Sequence, residues 1–296
     1  MQPEKDRGSL PLREIVDRVW PGRAAAIEVL GGGITNRNFK VDVAGGEYVL
    51  RIGGHDTELL GIDREAEHAA NVLAADLGIA PEVIAFVEPE GYLVTRYITG
   101  TLVSAERMRD REMILNVVRT LRRFHNSGSI ASRFDPFRVV EAYCSTATAH
   151  GIAVPKAYDR AKPIADMIER LRPPHPTVFC HNDLLNANFI ADENGRIWIV
   201  DWEYAGMGDR FFDLGNLAVN NGFGEEDDAL MLASYGVEEE RSLVQMRFMS
   251  DFREAMWGVV QQAISDIEFD FEAYATDHFE RMEETADSDR FRRALL

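Results

Sequence analysis

The sequence predicts an α+β fold with two lobes, a small β-rich N-lobe and a larger, mostly helical C-lobe. Three observations support this prediction. Short apolar runs separated by turn residues fill the first hundred positions, helical spacing of apolar residues dominates afterwards, and one strand-like stretch at 177–201 interrupts the helices. Because the pattern changes near residue 99, we place the N-lobe at residues 1–98 and the C-lobe at 99–296.

The N-lobe begins with strand and turn signals. "AIEVL" at 26–30 predicts a strand, "GGGITN" at 31–36 a glycine-rich turn, and "FKVDVAGGEYVLRI" at 39–52 a hairpin across Gly45 and Gly46. The following elements complete a small antiparallel sheet that carries one helix.

That helix is predicted over residues 63–78, where Asp63 is a plausible N-cap and Gly78 ends the periodic pattern. Two more strands are predicted over 81–98, on either side of the Pro-Glu-Gly turn at 89–91.

The C-lobe is predicted to be helical, with strands only where the sequence reads "TVFCH", "ANFIAD" and "RIWIVD". The predicted helices are 110–127, 136–150, 156–171, 226–235 and 239–264.

Composition limits the classes of protein that remain. The 296 residues are 46% hydrophobic, but no stretch approaches the roughly 18 apolar residues of a membrane span. The first twenty residues lack an apolar signal core, and the two cysteines, Cys144 and Cys180, lack metal-ligand spacing. We expect a cytoplasmic protein without membrane insertion and with reduced thiols. The sequence leaves the oligomeric state open.

The formal net charge is −18, from 50 acidic and 32 basic residues. Such a surface argues against nucleic acid and anionic membranes as partners, because their charge has the same sign. It favours a cationic ligand, although acidic surfaces also commonly serve solubility alone.

The stretch "FCHNDLLNANFI" at 179–190 contains the kinase pattern H-x-D-x-x-x-x-N, with Asp183 and Asn188 at the right spacing. Asp201 follows the strand "RIWIV", and Asn194-Gly195 predicts a type I′ turn that brings Asn188 and Asp201 together. Phosphoryl transfer needs a carboxylate that orients or deprotonates the acceptor hydroxyl, and an amide and a carboxylate that hold Mg²⁺.

This pattern predicts a two-lobed, protein-kinase-like enzyme that uses ATP and Mg²⁺. Asp183 is the candidate base, and Asn188 and Asp201 are the candidate metal ligands. His181 is interpreted as a structural hydrogen-bonding residue of the loop rather than a proton-transfer group.

The N-lobe offers a nucleotide site. In "GGGITNRNF" at 31–39, backbone N–H groups can approach phosphate oxygens. Arg51, in the next strand, can bind phosphate in bidentate fashion. We predict Glu65 as its acidic partner, with Glu67 as the alternative, and the backbone at 93–98 as an adenine-binding hinge. The candidate nucleotide-binding residues are Gly32, Gly33, Thr35, Asn36, Arg51, Glu65 and Tyr97.

From about residue 27 to 285 the sequence resembles the choline/ethanolamine kinase family, within the aminoglycoside phosphotransferase-like kinases. The resemblance rests on "HNDLLNANFI", "IVDWEYAGMGDRFFDLGN", "GGITNRNFKV" and "YVLRI". It implies that Asp183 is the base and that Asn188 and Asp201 hold Mg²⁺. It also implies that Glu203, in Asp201-Trp202-Glu203-Tyr204, helps with a second ion.

The segment "WGVVQQAISDIEFDFEAYATDHF" at 257–279 is similar to part of that family's acceptor pocket, where rings and acids enclose a quaternary ammonium. By position, Trp257 and Tyr274 are the predicted ring contacts. A trimethylammonium group donates no hydrogen bonds, so aromatic faces and nearby carboxylates hold it. Phe269, Phe271, Asp266 and Glu268 are further candidates, and the rings could equally belong to the core.

The sequence departs from the family pattern at two places. Asn220 lies where an acid often follows the "DxGN" motif, and Glu254 lies where a second pocket tryptophan is expected. We therefore predict an ATP-dependent kinase that phosphorylates the hydroxyl of a small cationic amino alcohol, choline or ethanolamine. The alternatives are a phosphotransferase acting on an aminoglycoside or thiamine, and a nucleotide-binding regulatory module.

Overall fold

The computed structural model describes residues 12–31, 36–43, 45–54, 56–265 and 267–296. Within these ranges the chain forms a β-rich N-terminal part and a mostly helical C-terminal part, which confirms the predicted fold class. None of the helices in the described part of the chain is long and apolar enough to cross a membrane.

An antiparallel sheet of five strands forms most of the N-lobe. The strands are β1 (Ala25–Leu30), β2 (Asn36–Val43), β3 (Gly46–Gly53), β4 (Val83–Val87) and β5 (Tyr92–Arg96). Their order is β1-β2-β3-β5-β4, and β2 pairs with β3 as the predicted hairpin.

One face of this sheet is covered by helix α1 (Leu12–Val19), which the sequence analysis did not predict. Ile15 and Val16 of α1 are buried together with Val41, Leu50 and Val94 of the sheet. Burial of this apolar face accounts for the docking of the short helix, since eight residues alone are too few for a stable helix in water.

Helix α2 (Arg64–Asp76) joins the two parts of the molecule. Asp63 caps it as predicted, because its carboxylate accepts the N–H groups of Glu65 and Ala66 at 3.0 and 3.2 Å. Ala70 and Ala74 are buried in the larger core, which α2 shares with the C-terminal helices. The division of the chain at residue 98 stays a prediction.

The C-terminal part is organised around one long helix. Its helices are α3 (Ala105–Met108), α4 (Arg111–His125), α5 (Pro136–Ala149), α6 (Lys156–Leu171), α7 (Arg210–Asn220), α8 (Glu225–Tyr235), α9 (Glu240–Ile264), α10 (Phe271–Asp287) and α11 (Asp289–Ala294). Helix α9 packs against α5, α7 and α10, and it is buried around almost its whole circumference. The five predicted helices correspond to α4, α5, α6, α8 and α9.

The sequence analysis missed α10, although its apolar residues carry a helical signal. Phe271, Ala275, Phe279 and Met282 are buried at helical spacing against α9. Asp270 caps the helix by accepting the N–H of Ala273 at 2.9 Å. Helices α3, α7 and α11 were also missed.

Two small sheets carry the functional loops. Their strands are β6 (Gly100–Leu102), β7 (Thr177–Cys180), β8 (Phe189–Asp192), β9 (Ile197–Ile199) and β10 (Gly206–Asp209). The sheet orders are β6-β8-β9 and β10-β7, both antiparallel. The loop after β7 and the end of β9 therefore lie close together.

Candidate active site

The loop that follows β7 is anchored by Asp213 of α7, a residue that the sequence analysis did not single out. Its buried carboxylate accepts the N–H groups of His181 at 2.9 Å and Asn182 at 2.7 Å. The same carboxylate contacts His125 Nε2 at 2.9 Å. Asn182 has φ 65°, so these bonds hold the loop in a left-handed conformation just before Asp183. The sequence signal for a buried role of Asp213 was its position as the only acid in the apolar run "FFDLGNL".

His181 has a structural role in this loop, in agreement with its predicted interpretation. Its Nε2 lies 3.0 Å from the carbonyl oxygen of Val200, and the N–H of Asp183 donates to its Nδ1 at 3.2 Å. Burial lowers the pKa of His181 to about 4, which keeps the ring neutral. The neutral ring can therefore donate through Nε2 and accept through Nδ1.

Asn188 lies directly beside Asp183. Its Nδ2 donates to the Asp183 carbonyl oxygen at 2.8 Å and approaches the Asp183 carboxylate at 3.3 Å. The N–H of Val200 donates to the Asn188 carbonyl oxygen at 3.0 Å, which aligns the hairpin of β8 and β9. Because the Asn188 amide nitrogen is engaged, its side-chain oxygen is the atom that remains for a metal.

The prediction of a type I′ turn in this hairpin was wrong. Gly195 has φ 75°, but Asn194 has no positive φ, and a type I′ turn requires it at both central residues. Instead, the Asp192 carboxylate accepts the N–H groups of Asn194 and Arg196 at 2.9 and 3.0 Å. The aspartate side chain stabilises a longer loop that still produces the predicted strand pairing.

Asp201 follows β9 with φ 68°, a left-handed conformation that turns the chain away from the strand. Arg51 Nη2 donates to Asp201 Oδ1 at 2.6 Å and to Glu203 Oε2 at 2.7 Å. Burial raises the pKa of Asp201 to about 6, and the neighbouring Arg51 opposes this rise. Arg51 of the N-terminal sheet therefore contacts both acids of the segment Asp201-Trp202-Glu203-Tyr204, the DxEY motif.

The partner of Arg51 on α2 is Glu67, so the prediction of Glu65 was wrong and its stated alternative is right. Arg51 Nη1 lies 2.8 Å from Glu67 Oε1, and Glu67 is buried. Glu65 is exposed and its N–H serves the helix cap. Two residues along a helix rotate the side chain by about 200°, so only one of these two acids can face the sheet.

Arg64 is a second arginine in this network, and the sequence analysis missed it. Its Nη1 lies 2.6 Å from Glu67 Oε2 and 3.3 Å from Glu203 Oε2, and its Nη2 donates to Thr57 at 3.0 Å. Arg51 and Arg64 thus connect α2 with the DxEY motif through shared carboxylates. Arg64 comes directly after the N-cap, where a charged side chain usually points to solvent, so no sequence pattern selected it.

The other predicted nucleotide-binding residues have different outcomes. Gly32, Gly33 and Thr35 lie outside the described residues. Asn36 is buried, and its Nδ2 donates to Glu203 Oε2 at 3.0 Å. The N–H of Tyr97 donates to the Glu47 carbonyl oxygen at 3.0 Å, and the Tyr97 ring lies 4.3 Å from Lys40 Nζ. The nucleotide contacts at Asn36, Arg51 and Tyr97 stay predictions.

The predicted aromatic residues of the acceptor pocket do come together. Trp257 is only 4% exposed, and its Nε1 donates to the Tyr204 hydroxyl at 2.9 Å. Its ring centroid lies 5.4 Å from that of Tyr274 and 5.7 Å from that of Phe271, both edge to face. Phe269 is 41% exposed at the rim of this cluster. The role of Trp257 and Tyr274 as substrate contacts stays a prediction.

The predicted acids of this segment do not join the rings. Glu268 is exposed, and Asp266 lies outside the described residues. Glu254 takes this place instead, because the Tyr274 hydroxyl donates to its Oε2 at 3.0 Å. The carboxylate nearest to the rings therefore comes from α9 rather than from the following loop.

Arg253 connects Glu254 with the candidate base, and the sequence analysis did not select it. Its Nη1 lies 2.6 Å from Glu254 Oε1 and 3.2 Å from Asp183 Oδ1. Its guanidinium carbon lies 4.2 Å from the centroid of the Tyr204 ring. Adjacent opposite charges in the otherwise apolar stretch "FREAMWG" were a signal of a buried ion pair.

The environment of Asp183 raises its affinity for a proton. Burial raises the pKa of Asp183 to about 8, and the positive charge of Arg253 acts in the opposite direction. Glu254 and Asp201 add to the rise because their charge has the same sign. A carboxylate with a raised pKa is a stronger base, which suits proton acceptance from a hydroxyl group.

The donor atoms near Asp201 fit Mg²⁺, which prefers hard oxygen ligands. The side chain of Asp201 is 32% exposed, and Arg51 contacts only its Oδ1. The side-chain oxygen of Asn188 is the second available ligand. Glu203 is less open, because its Oε2 already accepts from Arg51, Asn36 and Arg64. Its predicted part in holding a second ion stays a prediction.

Comparison with known proteins identifies the family of the chain. The model of the phosphotransferase enzyme family matches residues 26–249. Protein LicA of Haemophilus influenzae is 28% identical over 209 residues, which are 69% of this chain and 61% of LicA. The chain thus spans about three fifths of that relative's length. Ethanolamine kinase 2 of Mus musculus is 27% identical over 265 residues, covering 78% of this chain and 68% of the mouse protein.

Among solved structures, a choline/ethanolamine kinase family protein from Mesorhizobium loti superposes with a TM-score of 0.80 and is 30% identical. The match covers 96% of this chain and 97% of that protein. The kinase-like fold and the family match define the class of this protein as a phosphotransferase. The chain belongs to the phosphotransferase enzyme family and, within it, to the choline/ethanolamine kinase family.

Proposed function

We propose that this protein transfers the γ-phosphoryl group of ATP to the hydroxyl group of an amino alcohol, choline or ethanolamine. The observation that carries the proposal is the contact between Asp183 and Asn188, since Asn188 also accepts the N–H of Val200, the residue before Asp201. A base, an amide oxygen and an exposed carboxylate are the groups that phosphoryl transfer to an alcohol requires.

On the acceptor side, Asp183 orients the hydroxyl group and accepts its proton. The hydroxyl oxygen forms a bond to the γ-phosphorus, while the bond between this phosphorus and the β,γ-bridging oxygen breaks and ADP leaves. Burial raises the pKa of Asp183 to about 8, so its carboxylate form binds a proton more strongly than an ordinary aspartate does.

On the donor side, Asn188 and Asp201 would hold Mg²⁺, which neutralises phosphate charge when bound. Arg51 faces the same region, and its fork of N–H donors suits phosphate oxygens. Its pairing with Glu67 fixes the guanidinium between the sheet and α2. We therefore assign ATP binding to the cleft between the N-terminal sheet and the β8–β9 hairpin.

The class of the acceptor is inferred from the carboxylate and the aromatic rings that lie near Asp183. Close to Asp183, Glu254 lies together with the rings of Tyr204, Trp257 and Tyr274. Carboxylates and aromatic rings together suit a small organic cation. The relatives named LicA and ethanolamine kinase 2 support the same assignment.

A substrate panel tests this proposal. Purified protein is incubated with ATP, Mg²⁺ and one acceptor at a time: choline, ethanolamine, thiamine or an aminoglycoside. Phosphorus NMR then detects the phosphomonoester. We expect product with choline or ethanolamine. Product only with thiamine or the aminoglycoside would favour the alternative kinase, and nucleotide binding without any transfer would favour a regulatory module.

A further inference from the structure

The aromatic face nearest to the base is already covered by a cation of the protein itself. The Arg253 guanidinium lies 4.2 Å from the Tyr204 ring centroid, and its Nη1 contacts both Asp183 and Glu254. Arg253 is 1% exposed. An external cation that uses the Tyr204 face must therefore displace this arginine.

The remaining rings of the pocket are engaged with one another. Trp257 donates to the Tyr204 hydroxyl, and its ring makes edge-to-face contacts with Tyr274 and Phe271. A trimethylammonium group depends on open ring faces, because it has no N–H to donate. The arrangement beside Asp183 thus gives little of what a quaternary ammonium needs.

Glu254 is as buried as Arg253, at 2% exposed, but its carboxylate retains capacity to accept a hydrogen bond. Its Oε1 accepts from Arg253 at 2.6 Å and Asn216 at 3.3 Å. Among the described residues, only the Tyr274 hydroxyl donates to its Oε2, at 3.0 Å. A carboxylate offers about four lone-pair sites, so Oε2 can accept one more donor without loss of the existing bonds.

Charge leads to the same conclusion. Among the described residues, the single guanidinium of Arg253 serves both Asp183 and Glu254. A primary ammonium group adds a second cation together with N–H donors for Oε2. A quaternary ammonium supplies the charge alone, and displacement of Arg253 would leave a buried guanidinium without its partners.

We propose that Glu254, held in place by Arg253, is the specificity-determining residue for the acceptor and selects a primary over a quaternary ammonium group. This inference rests on the proposed function, because it concerns the same acceptor pocket. It assigns ammonium recognition to a carboxylate on α9 where a ring was expected from the sequence.

The first test compares kcat/KM for ethanolamine and for choline on the unaltered protein. We expect ethanolamine to be preferred by about tenfold or more, which corresponds to about 1.4 kcal/mol. Equal use of the two acceptors, or preference for choline, would overturn the inference. Transfer to neither acceptor would instead refute the proposed function, so the two failures are distinguishable.

The second test uses Glu254→Gln, with Glu272→Gln as the matched control on the exposed side of α10. We expect Glu254→Gln to lower kcat/KM for ethanolamine about tenfold and for choline less than about threefold, mainly through KM. A merely structural role would lower both values by the same factor, and that result would contradict the proposal. The wild-type ratio decides the question even if this variant does not fold.

Arg253→Gln supplies a third measurement, because it removes the cation from the Tyr204 face. Whatever its effect on the absolute rate, we expect the ratio of kcat/KM values to move toward choline. An unchanged ratio would show that Arg253 does not restrict access to the ring.

Discussion

Arg51 of β3 and Glu67 of α2 form a buried ion pair, with Nη1 and Oε1 2.8 Å apart. Glu67 also binds Arg64 at 2.6 Å, and both arginines reach Glu203. The pair therefore fixes α2 relative to Asp201 and Glu203, the acids that follow β9. The Arg51–Glu67 ion pair and the position of Asp201 depend on each other, because Arg51 contacts both Glu67 and Asp201.

Replacement of Glu67 by Gln is expected to lower the free energy of unfolding by about 1.5–3 kcal/mol, since the buried ion pair with Arg51 and the charge-assisted hydrogen bond from Arg64 both lose the carboxylate charge. Urea unfolding provides the measurement. Glu65→Gln is the matched control two residues away, and it should change the free energy by less than about 0.5 kcal/mol because Glu65 is exposed. Equal effects of the two variants would show that Glu67 is not the partner of Arg51.

Asp183→Asn should lower kcat by about 10²–10⁴-fold and leave ATP affinity nearly unchanged. The amide keeps the shape of the side chain but cannot accept the proton of the hydroxyl. Steady-state kinetics and calorimetric titration with ATP test the two parts. Asp277→Asn, at an exposed position of α10, should behave like the unaltered protein. Near-normal turnover by Asp183→Asn would contradict the assignment of the base.

Asp201→Asn should abolish the Mg²⁺ dependence of nucleotide binding, because the variant loses the partly exposed carboxylate that attracts a hard cation. Calorimetric titration with ATP, with and without Mg²⁺, measures this dependence. The control is Asp42→Asn, an exposed acid of β2. An unchanged affinity for Mg²⁺–ATP in Asp201→Asn would remove Asp201 from the metal site.

Trp257→Ala should lower the free energy of unfolding by roughly 3–5 kcal/mol, because it removes a large buried ring. Trp257→Phe keeps a ring but loses the hydrogen bond to Tyr204, so we expect a smaller loss of about 1 kcal/mol. Chemical denaturation separates the two variants. A fully stable Trp257→Ala protein with a raised KM for the acceptor would indicate an accessible ligand contact rather than a packed ring.

His181 should make stability depend on pH. Its pKa is about 4 in the folded protein, against an ordinary value of 6.5. Between these values the unfolded chain binds the additional proton, so stability falls as the pH drops below 6.5. At about pH 4.5 this effect lowers the free energy of unfolding by roughly 2–3 kcal/mol relative to neutral pH. Urea unfolding at pH 7 and 4.5 should therefore show a smaller pH effect for His181→Gln, and an equal effect in both proteins would contradict this origin.

The sequence by itself determined the fold class and the contact of Asp183 with Asn188 within one loop. The spacing of Asp183, Asn188 and Asp201 is local, since one loop and one hairpin bring these residues together. The hairpin could be predicted even though its turn type was wrong, because strand pairing depends on the flanking apolar residues more than on the turn geometry. The resemblance to the choline/ethanolamine kinase family extended the prediction to the Mg²⁺ ligands and to the contacts with the acceptor.

Only the tertiary structure decided which distant charges pair. The choice of Glu67 over Glu65 depends on the rotation of α2 against β3, which the helical period alone leaves undefined. In the same way, the sequence shows Arg253 and Glu254 only as adjacent opposite charges in an apolar stretch. The packing of α9 against α5, α7 and α10 decides which distant residues they contact. Burial then forces each charge to find a partner, because an isolated charge in a core is too costly, and the partners lie far away in the sequence.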